Sequence, residues 1–280
     1  MKEEASSNTE PITVIKPRTS AFELRLGVIW QYRELIRAFF SRDLKVRYTN
    51  TWAGWAWAIL NPLINIAILS FVFGRIANVD TNGINSGLYT TVGIVGWTFF
   101  STLLSDGSTV LLGAQQLVQK VYFPRIVLPI SKVLLALFDF IIMLVIVVVS
   151  LLWHKQTISF TILCLPLAVL LTILLGLAAG LWSGALSVRY KDFRYIVPIM
   201  VRIGMFVTPI AYALSAVPVA YQHWFRLNPL VGMIELYRYS ILGLAPDMIA
   251  VWYAIIFTII GLLTGLIYFN RLDDEIADVM

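Results

Sequence analysis

Six long apolar runs, nearly free of charge, set the pattern of this chain, and short polar segments separate them. A helix needs about 20 apolar residues to cross a bilayer core. Residues 48–74 supply the first run, and the part of 81–105 beyond Leu88 supplies the second. Residues 133–153 form the third, interrupted only by Asp139, and 157–188 form the fourth. Residues 195 to about 214 form the fifth, which carries Arg202, and 248–269 form the sixth. The pattern predicts an all-α integral membrane protein with six transmembrane helices within 48–270. An even number of crossings places both chain ends on one side.

The connecting segments divide by charge. Sixteen of the 21 Lys and Arg lie in the N-terminal arm, the loops after the second and fourth runs, and the tail. The other side holds Arg75, Lys155, Arg226 and Arg238. Cytoplasmic loops of membrane proteins collect basic residues, so the N- and C-termini are both expected in the cytoplasm. Residues 1–25 are polar, contain Pro11 and Pro17, and read as a disordered lead. Residues 271–280 read as a short cytoplasmic tail. Within 26–47, Ile29, Tyr32, Ile36 and Phe39 recur at helical spacing, while Gln31, Glu34, Arg42 and Lys45 take other faces. Such a segment lies as an amphipathic helix in the cytoplasmic interface, as a lipid anchor or as a docking surface.

Two more connections are too apolar for water. Residues 113–125 (GAQQLVQKVYFPR) join the second and third runs and end sharply at Pro124, which reads as a short cytoplasmic helix wanting a partner. Residues 215–246 carry Pro218, Tyr221, Trp224, Phe225, Pro229, Tyr237 and Tyr239, too broken to span. They read as a pair of short re-entrant helices in the outer interface, serving as an aromatic belt or as a lid over an exit.

Composition agrees with the pattern. Only 13% of the 280 residues are charged and 59% are hydrophobic, with mean hydropathy +0.81, whereas soluble domains carry about 25% charge. The formal charge of +5 sets orientation and implies no nucleic acid. Cys164 is the one cysteine and forms no internal disulfide. No phosphate-cradling G-x-x-x-x-G-K-[ST] occurs, no metal-ligand spacing involves His154 or His223, and no G-x-S-x-G elbow is present. The chain reads as a conduit without a catalytic site, metal or cofactor of its own.

Polar faces inside the membrane are the candidate chemistry. Gly54, Trp57, Asn61 and Asn65 share one face of the first span, and amides do not belong in lipid. Pro198, Arg202, Pro209 and Tyr212 share a face of the fifth. Arg202 is either a functional cation or the charge partner of Asp139. Gly176, Gly180 and Gly184 form small-xxx-small steps suited to close helix packing, within the chain or across a dimer. Glu235 and Arg238 stand three apart and suit a local pair. Arg42, Lys45 and Arg47 stand where a lipid pyrophosphate would arrive, although positive-inside bias alone also explains them.

Several short motifs share an order with a known family. RDLKVRY (42–48), Gly54, Trp57 and NPL (61–63), QKVYFPR (119–125) with Leu128 and Pro129, VRYKDFRYIVP (188–198), TPIAY (208–212), NPL (228–230), ELYRYSILG (235–243) and DDEIADV (273–279) resemble the permease subunits of ABC-2-type polysaccharide exporters, nearest to those for lipopolysaccharide O-antigen. The resemblance implies a homodimer in the bacterial cytoplasmic membrane that moves lipid-linked polysaccharide. It also implies two copies of a separate ATPase, which binds the ATP and Mg. It places ATPase coupling at Gln115, Lys120, Tyr122, Phe123, Pro124 and Arg125, beside the N-terminal helix. It implies an aromatic-lined channel and carries the lining role onto Trp57 and Tyr212; the polar faces of the first and fifth spans add Asn61, Asn65 and Arg202, and Phe206 is assigned with them. Tyr221, Trp224, Phe225 and Tyr237 are assigned to an external gate. Alternatives are a capsule or teichoic acid exporter, an ABC-2 permease for drugs or lipids, and a membrane enzyme acting on lipid-linked sugar.

Overall fold

The computed structural model describes residues 30–49, 54, 56–118, 120–121 and 123–279, with side chains as far as Arg271 and the backbone alone at Val118. The expected lead, the first residues of the interface helix and Tyr122 lie outside the described residues. Among those described, every regular element is helical.

Helix α1 (Arg33–Tyr48) buries Ile36, Phe39 and Tyr48, as its amphipathic pattern requires, and exposes Arg33, Glu34, Arg37, Arg42 and Lys45, while Asp43 and Arg47 turn toward the bundle. Helix α2 (Ala56–Leu69) continues as a π-helical segment (Ser70–Ile76). Pro62 sits inside α2, where it removes one backbone donor. Helix α3 (Ser86–Gly113) starts where the Asn85 side chain accepts from the Gly87 amide at 2.9 Å. It runs straight through Asp106, where the charge had suggested an end. A single-turn helix α4 (Gln115–Val118) leads to α5 (Val127–Trp153), which tolerates Pro129 in its first turn. A 3-10 turn (Phe160–Cys164) opens α6 (Leu165–Arg189). Helices α7 (Phe193–Val207), α8 (Val219–Leu227) and α9 (Pro229–Leu242) follow. Gly243 ends α9 at φ +72°, a left-handed stop that glycine alone adopts freely. Helix α10 (Met248–Val279) continues without a break through Arg271, where the sequence pattern begins its tail.

Among the described residues, five helices are long and apolar enough to cross a membrane: Ala56–Ile76, Ser86–Gly113, Val127–Trp153, Phe160–Arg189 and Met248–Arg271. The run expected as a fifth single span divides instead. Helix α7 stops at Val207, and Thr208, at φ −91° and ψ 134°, takes the extended geometry that Pro209 imposes on its predecessor.

Helix α3 is the hub, packing against α2, α5, α6, α7 and α9. Its contact with α6 is backbone to backbone. A Cβ on Gly107 would lie 2.7 Å from Gly180 Cα, and one on Gly184 would lie 2.7 Å from the Gly107 carbonyl oxygen. The glycine stripe of α6 is therefore taken up inside the chain. Ile141, Val145, Val149 and Leu152 of α5, with Trp252, Ile256 and Ile260 of α10, form exposed apolar stripes at helical spacing. Water does not tolerate such stripes on this scale, and lipid does.

Candidate functional site

At the end of the bundle that carries α1, ion pairs hold that helix to α3 and α5. Lys132 Nζ donates to Asp43 Oδ2 at 2.7 Å, and Arg42 pairs with the other oxygen at 2.7 Å. Burial pushes the Asp43 carboxyl up, but the hydrogen bonds and charges of Lys132 and Arg42 outweigh it and hold the group below the usual carboxylate value. Arg47 Nη2 donates to Asp106 Oδ2 at 2.6 Å, while its Nη1 and the Tyr48 hydroxyl both donate to Asp139. Asp139 is thus the partner of Arg47 and Tyr48, which corrects the alternative that paired it with Arg202. Arg202 is exposed and has no ion pair among the described residues.

The three cations proposed for pyrophosphate separate accordingly. Arg47 uses its donors inside the protein, Lys45 is exposed, and Arg42 lines a cleft of about 530 Å³. Asp43, Thr109, Ser131, Lys132 and Arg194 line the same cleft, together with the apolar Val46, Val110 and Leu112. Three cations face one carboxylate there, a balance that favours an anion. In the sequence, Lys132 and Arg194 serve only to set orientation, because they lie far along the chain from Arg42. Their shared place at span boundaries on the basic side was the available signal.

The segment expected to couple to an ATPase packs beside α1. Phe123 is buried and its ring centroid lies 5.8 Å from that of Phe39. Lys120 is exposed, whereas Gln115, Pro124 and Arg125 are half-buried. Among the described residues of this stretch, only Gln115–Val118 is helical.

Trp57, Asn61 and Asn65 are all exposed on one face of α2, while Pro62 turns inward. On α7, Arg202 and Phe206 are exposed, and Val197 is its one buried side chain. Both helices rest on α3, and they converge at the far end. There the Tyr212 ring lies 5.6 Å from that of Phe73, and the Tyr212 hydroxyl donates to the Phe206 carbonyl at 3.2 Å.

Among the expected gate residues, Tyr221 and Trp224 are exposed on α8, and half-buried Phe225 packs in a small cluster with Tyr212. Tyr237 is placed elsewhere. Helix α9 turns into the core, where Tyr237 is fully buried, lies 3.1 Å from the Thr172 hydroxyl and packs on Phe140. The neighbouring Arg238 is also buried. Its Nη2 donates to the carbonyls of Pro209 at 2.6 Å, Ile210 at 2.9 Å and Tyr212 at 3.4 Å. Its Nη1 donates to Glu235 at 3.2 Å, and the guanidinium lies 3.9 Å from the centre of the Tyr89 ring. The break after α7 frees those carbonyls, and a membrane offers no water to satisfy them. One charged hydrogen bond is worth about 1.5–3 kcal/mol.

Comparison with known proteins agrees with this architecture. The family model described as "ABC-2 type transporter" matches residues 34–242. An O-antigen export system permease protein RfbA of Myxococcus xanthus is 29% identical over 212 residues, covering 75% of this chain and 81% of the relative. An RfbA of Klebsiella pneumoniae is 25% identical over 252 residues, covering 88% and 95%. The polysialic acid transport protein KpsM of Escherichia coli is 24% identical over 247 residues, covering 85% and 93%. The family match takes in α1 through α9, the basic-end cleft and the Arg238 contacts together, and the chain belongs to the ABC-2 type transporter family.

Proposed function

We propose that this chain is the membrane subunit of an ATP-driven exporter of lipid-linked polysaccharide, with O-antigen as substrate, working as a homodimer with two copies of a separate ATPase. The observation that carries this reading is the uncovered polar face of α2. Trp57, Asn61 and Asn65 stand exposed on a helix that is otherwise built for lipid. Lipid does not satisfy amides, so a second copy enclosing a wet passage is their natural cover. Sugars present C–H faces to aromatic rings and hydroxyls to amides, and many weak contacts let a polymer slide. Relatives named for O-antigen export and polysialic acid transport support the substrate class. The absence of a phosphate-cradling loop from the sequence supports a separate motor.

In this reading α7 and the extended residues after it make one further crossing. Fifteen helical residues span about 22 Å, and residues 208–213 supply the remainder of a core about 30 Å thick. Six crossings then put both ends, and the basic-rich segments, in the cytoplasm of a bacterial cell. The ATPase docks on α1 and residues 115–125, and the lipid pyrophosphate enters at Arg42, Lys132 and Arg194.

The test is purification of the tagged chain from its native membrane, with deletion of its gene in parallel. An ATP-binding subunit should co-purify, and long polysaccharide should vanish from the cell surface and accumulate on lipid inside. Purification of the chain alone, with surface polymer intact, contradicts the proposal. Intact polymer with lost resistance to small toxic molecules points to the efflux rival. Loss of capsule with O-antigen retained points to the KpsM-like reading.

A further inference from the structure

We propose that Arg238 is a positioning residue for the outer mouth of the passage: its guanidinium fixes residues 208–213, the non-helical backbone that carries Tyr212. This inference rests on the passage proposed above, since it assigns a role at that passage's exit. A cation this deeply buried beside a single carboxylate, Glu235, is an unusual expense for a membrane protein. Its donors explain the placement. One terminal nitrogen serves three carbonyls of the broken segment, and the other holds Glu235 one turn back on the same helix. The Tyr89 ring closes the cation's remaining face.

Everything around the segment points the same way. A Cβ on Gly93 would lie 2.3 Å from the Ile210 carbonyl oxygen, so α3 offers the segment a flat, close seat. Asn228 Nδ2 donates to the Thr208 hydroxyl at 3.3 Å, and the Ala213 amide donates to the Asp80 carbonyl at 3.3 Å. Thr208, Ile210, Ala211 and Ala213 are buried as a result, while the Tyr212 ring packs on Phe73 of the π-helical segment that continues α2. Lysine cannot replace this arrangement, because an ammonium is a point donor and lacks the planar fork.

The test uses the complete transporter in proteoliposomes, with Cys164→Ser as background and Ala211→Cys as a buried reporter. A membrane-impermeant maleimide reads exposure of the segment, while ATP hydrolysis and polymer export are followed in parallel. Arg238→Gln should raise the labelling rate about tenfold or more and lower export to a similar degree, with ATP hydrolysis kept within about twofold. Arg238→Lys should fall between it and the parent. Labelling and export equal to the parent in Arg238→Gln overturn the proposal, as does full rescue by lysine. Should Arg238→Gln fail to assemble, Glu235→Gln carries the test, since it keeps the guanidinium and removes its counter-charge. It should speed labelling by about threefold, and unchanged labelling overturns the proposal. A parent complex that labels slowly but exports no polymer with ATP instead rejects the function proposed above, and leaves the hold of Arg238 on the segment readable.

Discussion

Arg47 shows how one side chain ties three elements together, reaching from the end of α1 to Asp106 of α3 and Asp139 of α5. Removing one partner of a buried pair costs about 3–5 kcal/mol. Here 29% of the Arg47 side chain and 19% of that of Asp106 remain exposed, so Arg47→Ala is expected to cost roughly half that. Thermal unfolding in detergent checks it, and combining Arg47→Met with Asp106→Asn and Asp139→Asn should recover most of the loss. Asp43 yields a prediction about pH. Its lowered folded value means that its contribution is complete above the ordinary carboxylate value of about 3.9 and is lost as pH falls through the lower folded value. Amide exchange across α1, taken relative to the unfolded chain at the same pH, should therefore stay slow from about pH 8 to 5 and quicken only in stronger acid. Asp43→Asn should quicken it at neutral pH as well. Quickening of the unaltered protein near neutrality would count against the assignment.

At the scale of elements, the α3–α6 contact depends on Gly107 and Gly180 meeting without side chains. Gly107→Ala forces the two backbones apart and should cost about 1–3 kcal/mol, read as a lower melting temperature with the fold retained. On α2, Trp57→Ala should slow polymer export about two- to tenfold while leaving stability nearly unchanged, because the ring is exposed and the contact proposed for it with sugar would be worth about 0.5–1.5 kcal/mol. Much of this layout was legible in the sequence. Apolar runs long enough to span announced five of the helices, and the period of Ile36 and Phe39 announced the buried face of α1. Legibility failed where a charge found a partner far along the chain. Asp106 looked like a helix end because Arg47 was invisible from its own neighbourhood, and Asp139 was offered to Arg202 for the same reason. Tyr237 was assigned to an external gate because α9 is short and amphiphilic, and packing against α3, α6 and α10 puts it in the core. The stop at Val207 was announced by Pro209, but hydropathy alone carried the run across it.

For the whole molecule, the basic end and the far end carry different tasks. At the first, α1 packs on Phe123 beside the cleft with Arg42 and Arg194, where the proposed function puts ATPase docking and the entry of the lipid pyrophosphate. At the second, the broken backbone after α7 is held by Arg238 beside the aromatics of α8. Between them run the uncovered faces of α2 and α7, which a second copy would complete as a passage. The most direct test is translocation itself. Proteoliposomes holding this chain and its ATPase receive lipid-linked polysaccharide on the face where ATP is added, and a glycosidase confined to that face attacks whatever remains there. The account predicts that ATP renders the polymer resistant, and that a catalytically dead ATPase abolishes the effect. Polymer that stays fully sensitive with ATP hydrolysed, or that becomes resistant with no ATPase present, contradicts it.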